Sequence, residues 1–116
     1  MNFVHEREHH HVAGLVKAHE LGSESVAEVC KIFHLLSEPS RLKIVLALFE
    51  GKMCVYHLTD VCGGTVSGVS HQLRLLRDNK IVSAKRLGKN IEYSLADNHV
   101  REIVEMALAH LQCPKE

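Results

Sequence analysis

Between Thr65 and Leu95 the hydrophobic pattern of the sequence changes period. Val69, Leu73 and Leu76 recur at helical spacing, after a Thr suited to cap a helix, in a stretch that runs to about Asn79. From Ile81 the pattern becomes strand-like. Ile81 to Lys85 and Asn90 to Leu95 read as two short strands, with Leu87-Gly88-Lys89 as the tight tip between them. A helix that feeds straight into a hairpin restricts the fold to mainly α architectures carrying one small β element.

The flanking segments are helical. Ser25 followed by Glu28 has the form of a capping box, and Val26, Val29, Cys30, Phe33 and Leu36 follow at helical spacing. Ser37-Glu38-Pro39 stops that helix and starts the next, because Pro suits a first turn. Leu42, Val45, Leu46, Leu48 and Phe49 mark a second helix ended by Gly51. Val55 to Cys62 predicts a short third helix with Leu58 and Val61 inward, and Gly63-Gly64 a turn before Thr65. Asp97 is placed to cap a last helix over about Asn98 to Leu111, with Val100, Ile103, Val104, Ala107, Leu108 and Leu111 apolar. The first 22 residues are polar and His-rich, with room for a short helix from Val12 to Leu21. Residues 1–22 are therefore expected to be an arm, 23–113 a domain and 114–116 a tail. A chain of 116 residues suits one domain, and with aromatic content of 4% its core must be mostly aliphatic.

Formal net charge is zero, which by itself does not favour a nucleic-acid binder. The distribution is uneven, however. From His71 to Ile91 there are six cations (Arg74, Arg77, Lys80, Lys85, Arg86 and Lys89) against the single acid Asp78. A local basic face can hold phosphates on a neutral molecule. A short helix, a Gly turn, a polar-faced second helix and a basic hairpin together fit a winged helix-turn-helix. Ser67, Ser70, His71, Gln72, Arg74 and Arg77 are then candidate contacts on the second helix. Gln and Arg suit base edges, whereas Ser, Thr and His more often position phosphates. Thr65 and the helix start could meet a phosphate, and Lys85, Arg86 and Lys89 the backbone or minor groove. The spacing of Arg74, Arg77 and Lys80 is also that of a solvated helix face.

The stretch Leu36-Ser37-Glu38-Pro39-Ser40-Arg41-Leu42 resembles the signature of the ArsR/SmtB family of metal-responsive repressors. Val69-Ser70-His71-Gln72-Leu73-Arg74-Leu75-Leu76-Arg77 is similar to that family's recognition helix, and Gly88-Lys89-Asn90-Ile91-Glu92-Tyr93-Ser94-Leu95 to its wing. The likeness runs in register from about Val26 to Leu111. It implies a homodimer that binds an imperfect inverted repeat in double-stranded operator DNA when metal-free, and is released by metal to allow expression of efflux or sequestration genes.

Asp97, His99, His110 and Cys113 are all potential ligands on the last helix. His99 and His110 are eleven residues apart, so they share a face but lie about 16 Å apart along the axis. Zinc–ligand bonds are only about 2.0–2.3 Å, so one helix cannot bring both to one ion. An antiparallel dimer would place Asp97 and His99 of one chain against His110 and Cys113 of the other, giving two equivalent sites. One carboxylate, two imidazoles and one thiolate suit tetrahedral Zn(II), with Co(II), Cd(II) or Ni(II) as other candidates. Zinc-sensing members of the resembled family carry Asp-x-His and then His-x-x-Glu or His-x-x-His at this place; Cys113 departs from that pattern. Asp97 also has the simpler role of helix cap.

Lys52-Met53-Cys54-Val55-Tyr56-His57-Leu58 resembles a second metal box of the family, which binds with residues from the N-terminal arm. Cys54 and His57 would be ligands there, with His5, His9, His10 and His11 of the arm able to complete the shell and the continued register favouring His11, with His9 next. Tyr56 stands where some members have a second Cys, and Cys54 could equally be a small buried hydrophobe. Cys30 and Cys62 fall in apolar helical patterns and are expected in the core. An alternative is a sulfur- or redox-responsive repressor of the same fold that uses these two thiols. No catalytic motif such as His-Glu-x-x-His occurs, and four protein ligands would close the coordination sphere, so neither an enzyme nor a small organic substrate is expected. No membrane partner is expected either, and a cytoplasmic location is, since neither a long apolar span nor an apolar leader is visible.

Overall fold

The computed structural model describes residues 21–114. These fall into two units that divide after Phe33. The first unit contains most of helix α1 (Ser23–Leu36). The helix starts two residues before the expected cap: Val26 donates its backbone N–H to the Gly22 carbonyl, so Ser25 lies inside α1 and makes no capping box. Val26, Val29 and Phe33 are exposed along α1. Cys30 is exposed with them rather than buried as expected, since it shares the apolar stripe that Val26, Val29 and Phe33 leave open among the described residues.

The second unit runs from the end of α1 through α2 (Pro39–Ala47), a 3-10 turn (Leu48–Glu50), β1 (Met53–Cys54), α3 (Val55–Cys62), α4 (Val66–Asp78), β2 (Val82–Leu87), β3 (Asn90–Leu95) and α5 (Asn98–Gln112). Pro39 opens α2 as expected, and the cap is Glu38. Its carboxylate accepts the backbone N–H groups of Ser40 and Arg41 at 3.0 and 3.3 Å and the Ser40 hydroxyl. Those bonds, the Ser40 hydroxyl first, hold its carboxyl below the usual range against the raising effect of desolvation. The core is aliphatic throughout. Ile44, Val45, Leu58, Leu73, Leu76, Ile81 and Val82 are almost wholly enclosed, and Met53, Val69, Val100 and Val104 lie at its margins.

Three expectations change. The hairpin is part of a three-stranded antiparallel sheet of order β1-β3-β2, since Met53 and Cys54 pair with Tyr93 and Glu92. A two-residue strand has no period to read, and only its partner reveals it. The second helix does not reach Phe49, because its last turn tightens to 3-10 geometry. Val61 is 54% exposed while Leu58 is fully enclosed; a helix of eight residues has one narrow inward stripe, and Leu58 occupies it.

The hairpin register pairs Leu87 with Asn90, leaving Gly88 and Lys89 as a two-residue loop. Gly88 has φ 64°, at the position where a type II′ turn requires positive φ, and that turn matches the twist of its strands. The joint between α4 and β2 is more unusual. Ile81 donates to the Leu76 carbonyl at 2.9 Å and Lys80 to the Arg77 carbonyl at 3.0 Å. This is a Schellman closure, with Leu76 and Ile81 supplying its apolar contact, both buried. Its left-handed residue is Lys80, at φ 62°, where Gly is the usual occupant. Replacing Lys80 by Gly is therefore expected to raise stability by up to about 1 kcal/mol despite the entropy of the added Gly; chemical denaturation would show this as a higher midpoint with unchanged slope.

Candidate functional site

The α3–α4 pair is a helix-turn-helix. Gly63 closes α3 by donating to the Thr59 carbonyl at 2.8 Å, and Thr65 caps α4 by accepting the Gly68 N–H at 3.0 Å. A Cβ on Gly68 would sit 3.1 Å from the Thr65 hydroxyl, so a glycine here keeps the cap close. Val69, Leu73 and Leu76 face the core, which turns the opposite side of α4 outward. Thr65, Ser67, His71, Arg74 and Arg77 are exposed and Ser70 is half-buried. Arg77 lies 4.0 Å from Asp78, a surface contact of little energetic weight.

Gln72 differs from the expectation of an outward base reader. It is half-buried, and its side-chain oxygen accepts from Arg41 Nη1 at 3.2 Å, while Arg41 Nε donates to the Leu35 carbonyl at 2.8 Å. Arg41 therefore ties α4 to the end of α1. It stands inside the motif quoted above, but nothing local in the sequence marks it as this tie. Gln72 also lines a cleft of about 520 Å³ with Glu38, Ser40, Lys43, Cys62 and Thr65. Burial pushes the Cys62 thiol up, with Lys43 pulling the other way.

On the wing, Lys85, Arg86 and Lys89 are exposed. Lys85 lies directly across from Glu92, Arg86 from Ile91, and Lys89 sits in the loop. Six exposed cations thus lie between α4 and the hairpin tip, with Lys80 at the joint and Lys85 and Arg86 on opposite faces of β2.

The last helix presents a second constellation. Asp97 caps α5 by accepting the His99 N–H at 2.8 Å. The same carboxylate oxygen lies 3.4 Å from His99 Nδ1. Two donors each about 2.0–2.1 Å from a tetrahedral ion are separated by about 3.4 Å, so the pair has the separation of two ligands of one ion. Capping and ligation are compatible, because a carboxylate oxygen has more than one lone pair. His99, Ile103, Met106, His110 and Cys113 follow at steps of four, three, four and three residues and form one stripe along α5. Ile103 and Met106, in the middle of the stripe, are 37% and 45% exposed. His110 and Cys113 are exposed at its far end, where Cys113 donates its N–H back to the His110 carbonyl. Among the described residues no group of three or more His, Cys, Asp or Glu is gathered to hold a metal. Within one chain the α5 donors come as separated pairs.

Cys54 is half-buried at the cap of α3, and His57 is exposed three residues later. Glu92 stands directly across the sheet from Cys54. His9 and His11, with His5 and His10, lie outside the described residues, as does any helix from Val12.

These features define a winged-helix DNA-binding protein. No helix among the described residues is long and apolar enough to cross a membrane. Residues 38–84 match the family described as bacterial regulatory protein, arsR family. The chain is 37% identical over 97 residues to a transcriptional repressor SmtB homolog of Synechocystis, spanning 84% of this chain and 74% of that one. It is 40% identical over 90 residues to the HTH-type transcriptional regulator NmtR of Mycobacterium tuberculosis, spanning 78% and 75%. The solution structure of apo-NmtR superposes with a TM-score of 0.69 at 39% identity, covering 79% of this chain and 77% of that one. The AntR antimony-specific transcriptional repressor gives a TM-score of 0.72 at 33% identity, covering 80% and 85%. The chain belongs to the ArsR/SmtB family of winged-helix regulators. Members of this family are non-catalytic DNA-binding proteins, and the chain is not an enzyme.

The position of each wing cation gives it a different expected weight on DNA. Lys89→Ala and Arg86→Ala should each lower the salt dependence of DNA affinity by about one phosphate contact, whereas Lys85→Ala, opposite Glu92, should lower it less. Affinity measured by anisotropy across a salt series would show equal slopes for all three if the wing does not reach the backbone.

Proposed function

We propose that this chain is a homodimeric repressor that binds an imperfect inverted-repeat operator without metal and is released by Zn(II) or a similar divalent ion. Residues 23–113 act as the winged helix-turn-helix domain, with 1–22 an arm and 114–116 a tail. The observation that carries this proposal is the α5 stripe, with donor pairs at both ends and exposed apolar side chains between them. Met106 is its midpoint. A second copy crossing antiparallel at Met106 covers Ile103 and Met106 and brings Asp97 and His99 against His110 and Cys113 of the other chain. Each dimer then has two such sites, and neither exists in a single chain.

Zn(II) is favoured by the mixed carboxylate, imidazole and thiolate set, and Co(II), Cd(II) and Ni(II) follow from the same donors. Relatives of the chain point to more than one element. One is a cadmium resistance regulatory protein CadC homolog of Staphylococcus aureus, 36% identical over 92 residues, and another is the antimony-specific AntR. When bound, the ion supplies a rigid cross-link between two chains. The residues of this chain do the rest: Asp97 fixes the start of α5 while offering its oxygen, and the exposed cations on α4 and the wing hold DNA. Cys54 and His57, joined by His9 and His11 of the arm, are proposed as a second, independent site. Regulated genes would serve efflux or sequestration of the ion. The thiol-responsive alternative is the weaker reading, because burial pushes the Cys62 thiol up toward its protonated form and the paired donors lie on α5.

Two measurements test this proposal. A His99/His110 double substitution to Ala should weaken Zn(II) binding by more than about 100-fold, beyond what loss of an outer-shell partner costs, and abolish release from DNA while metal-free DNA binding persists. If release survives in the double variant but disappears with Cys54→Ser, the regulating site is at α3 and the arm instead. Met106→Arg, which sets two like charges at the crossing point, should weaken dimerisation by about 3–5 kcal/mol. Analytical ultracentrifugation would then report monomer, and an unchanged dimer would exclude this crossing.

A further inference from the structure

We propose that Arg101 is a positioning residue that couples the Asp97/His99 ligand pair to the DNA-reading head. This role rests on the metal-released repressor proposed above. Arg101 lies in the first turn of α5, two residues after His99. Its Nη1 donates to the Phe49 carbonyl at 3.0 Å, and its guanidinium carbon sits 4.6 Å from the centre of the Phe49 ring. Its Nε meets the Glu105 carboxylate at 3.3 Å, one turn further along α5.

Three contacts therefore hold one planar, permanently charged group. The carbonyl and the ring of Phe49 take it on one element, and Glu105 takes it on its own helix. Among the described residues, Arg101 to Phe49 is the only hydrogen bond between α5 and another element. Phe49 is the middle residue of the 3-10 turn that ends α2, and that turn leads through Gly51 into β1 and the cap of α3. β1 pairs with the inner strand of the wing, and α3 is the first helix of the helix-turn-helix. Through Arg101, a shift of the first turn of α5 thus reaches the segment that supports both DNA-contacting parts. Val100 and Val104 also pack α5 against the core, and Arg101 adds to them a directional, charge-assisted tie.

Coupling of this kind is a free energy shared by two sites, so it can be removed without abolishing either binding event. Arg101→Leu, Arg101→Lys and Glu105→Gln are compared with the parent as full-length protein. Measurements are DNA affinity in chelator, Zn(II) affinity without DNA against a chromophoric chelator, DNA affinity with saturating Zn(II), and amide hydrogen exchange of residues 49–54 with and without Zn(II). In the parent, Zn(II) should weaken DNA binding and alter exchange at residues 49–54. Arg101→Leu should keep both separate affinities within about threefold of the parent while cutting the effect of Zn(II) on DNA by about tenfold. Its exchange at residues 49–54 should no longer respond to Zn(II). Arg101→Lys keeps a charge but not the fork and should give an intermediate value; Glu105→Gln leaves the Phe49 contact intact and should stay near the parent.

Parent-like coupling in Arg101→Leu overturns the assignment. So does an equal loss of DNA affinity with and without Zn(II), which would mark a purely structural role. If Arg101→Leu does not fold, Arg101→Lys decides: parent-like coupling and exchange overturn the role, and an intermediate value supports it. A parent protein that Zn(II) fails to release from DNA would sink the repressor proposal itself, whereas a responsive parent with parent-like variants removes only Arg101.

Discussion

The enclosure of Leu58, Leu73 and Leu76 between α2, α3 and α4 is the constraint from which the DNA-reading surface follows. These side chains fix the roll of α4, and a helix whose inner face is so determined has no choice about its outer one. Arg74 and Arg77 point outward because Leu73 and Leu76 point inward. The Schellman closure at Lys80 then passes the chain into β2 within two residues, with Ile81 entering the same core. The wing is therefore placed by the packing that places the recognition helix.

The remaining polar ties do different work. Arg41 joins the end of α1 to Gln72 of α4, and Arg101 joins the start of α5 to the turn after α2. Both reach backbone carbonyls from half-buried positions, where a charge-assisted hydrogen bond is stronger than at the surface. Arg101 stands on α5, which carries the proposed metal ligands, and Arg41 reaches α4, which carries proposed DNA contacts. An aliphatic core sets the shape, and the two arginines give it defined points of attachment.

The last helix shows how geometry can demand a partner. About 16 Å separates His99 from His110 along one rigid axis. No side-chain rotation closes that distance, so a shared ion requires another helix. The half-exposed residues between the two ends are what a crossing helix would cover. Metal binding would then require the dimer, and a symmetric pair of sites would report a single change in dimer geometry.

Much of this was legible in the sequence, because periodicity and capping are local. The period change at Ile81, the Pro39 start, the Thr65 and Asp97 caps and the Gly88 tip all appear as read. The 4-3-4-3 stripe of α5 is likewise a property of spacing alone. The tertiary structure decided what depends on residues far apart. It exposed Val61 and Cys30, turned Gln72 inward onto Arg41, added β1 to the hairpin and seated Arg101 on Phe49. A two-residue strand, or an arginine bonded across 52 positions to a carbonyl, leaves no periodic trace in the chain. Periodicity records which face of an element is apolar, but only packing determines which residues on that face find a neighbour.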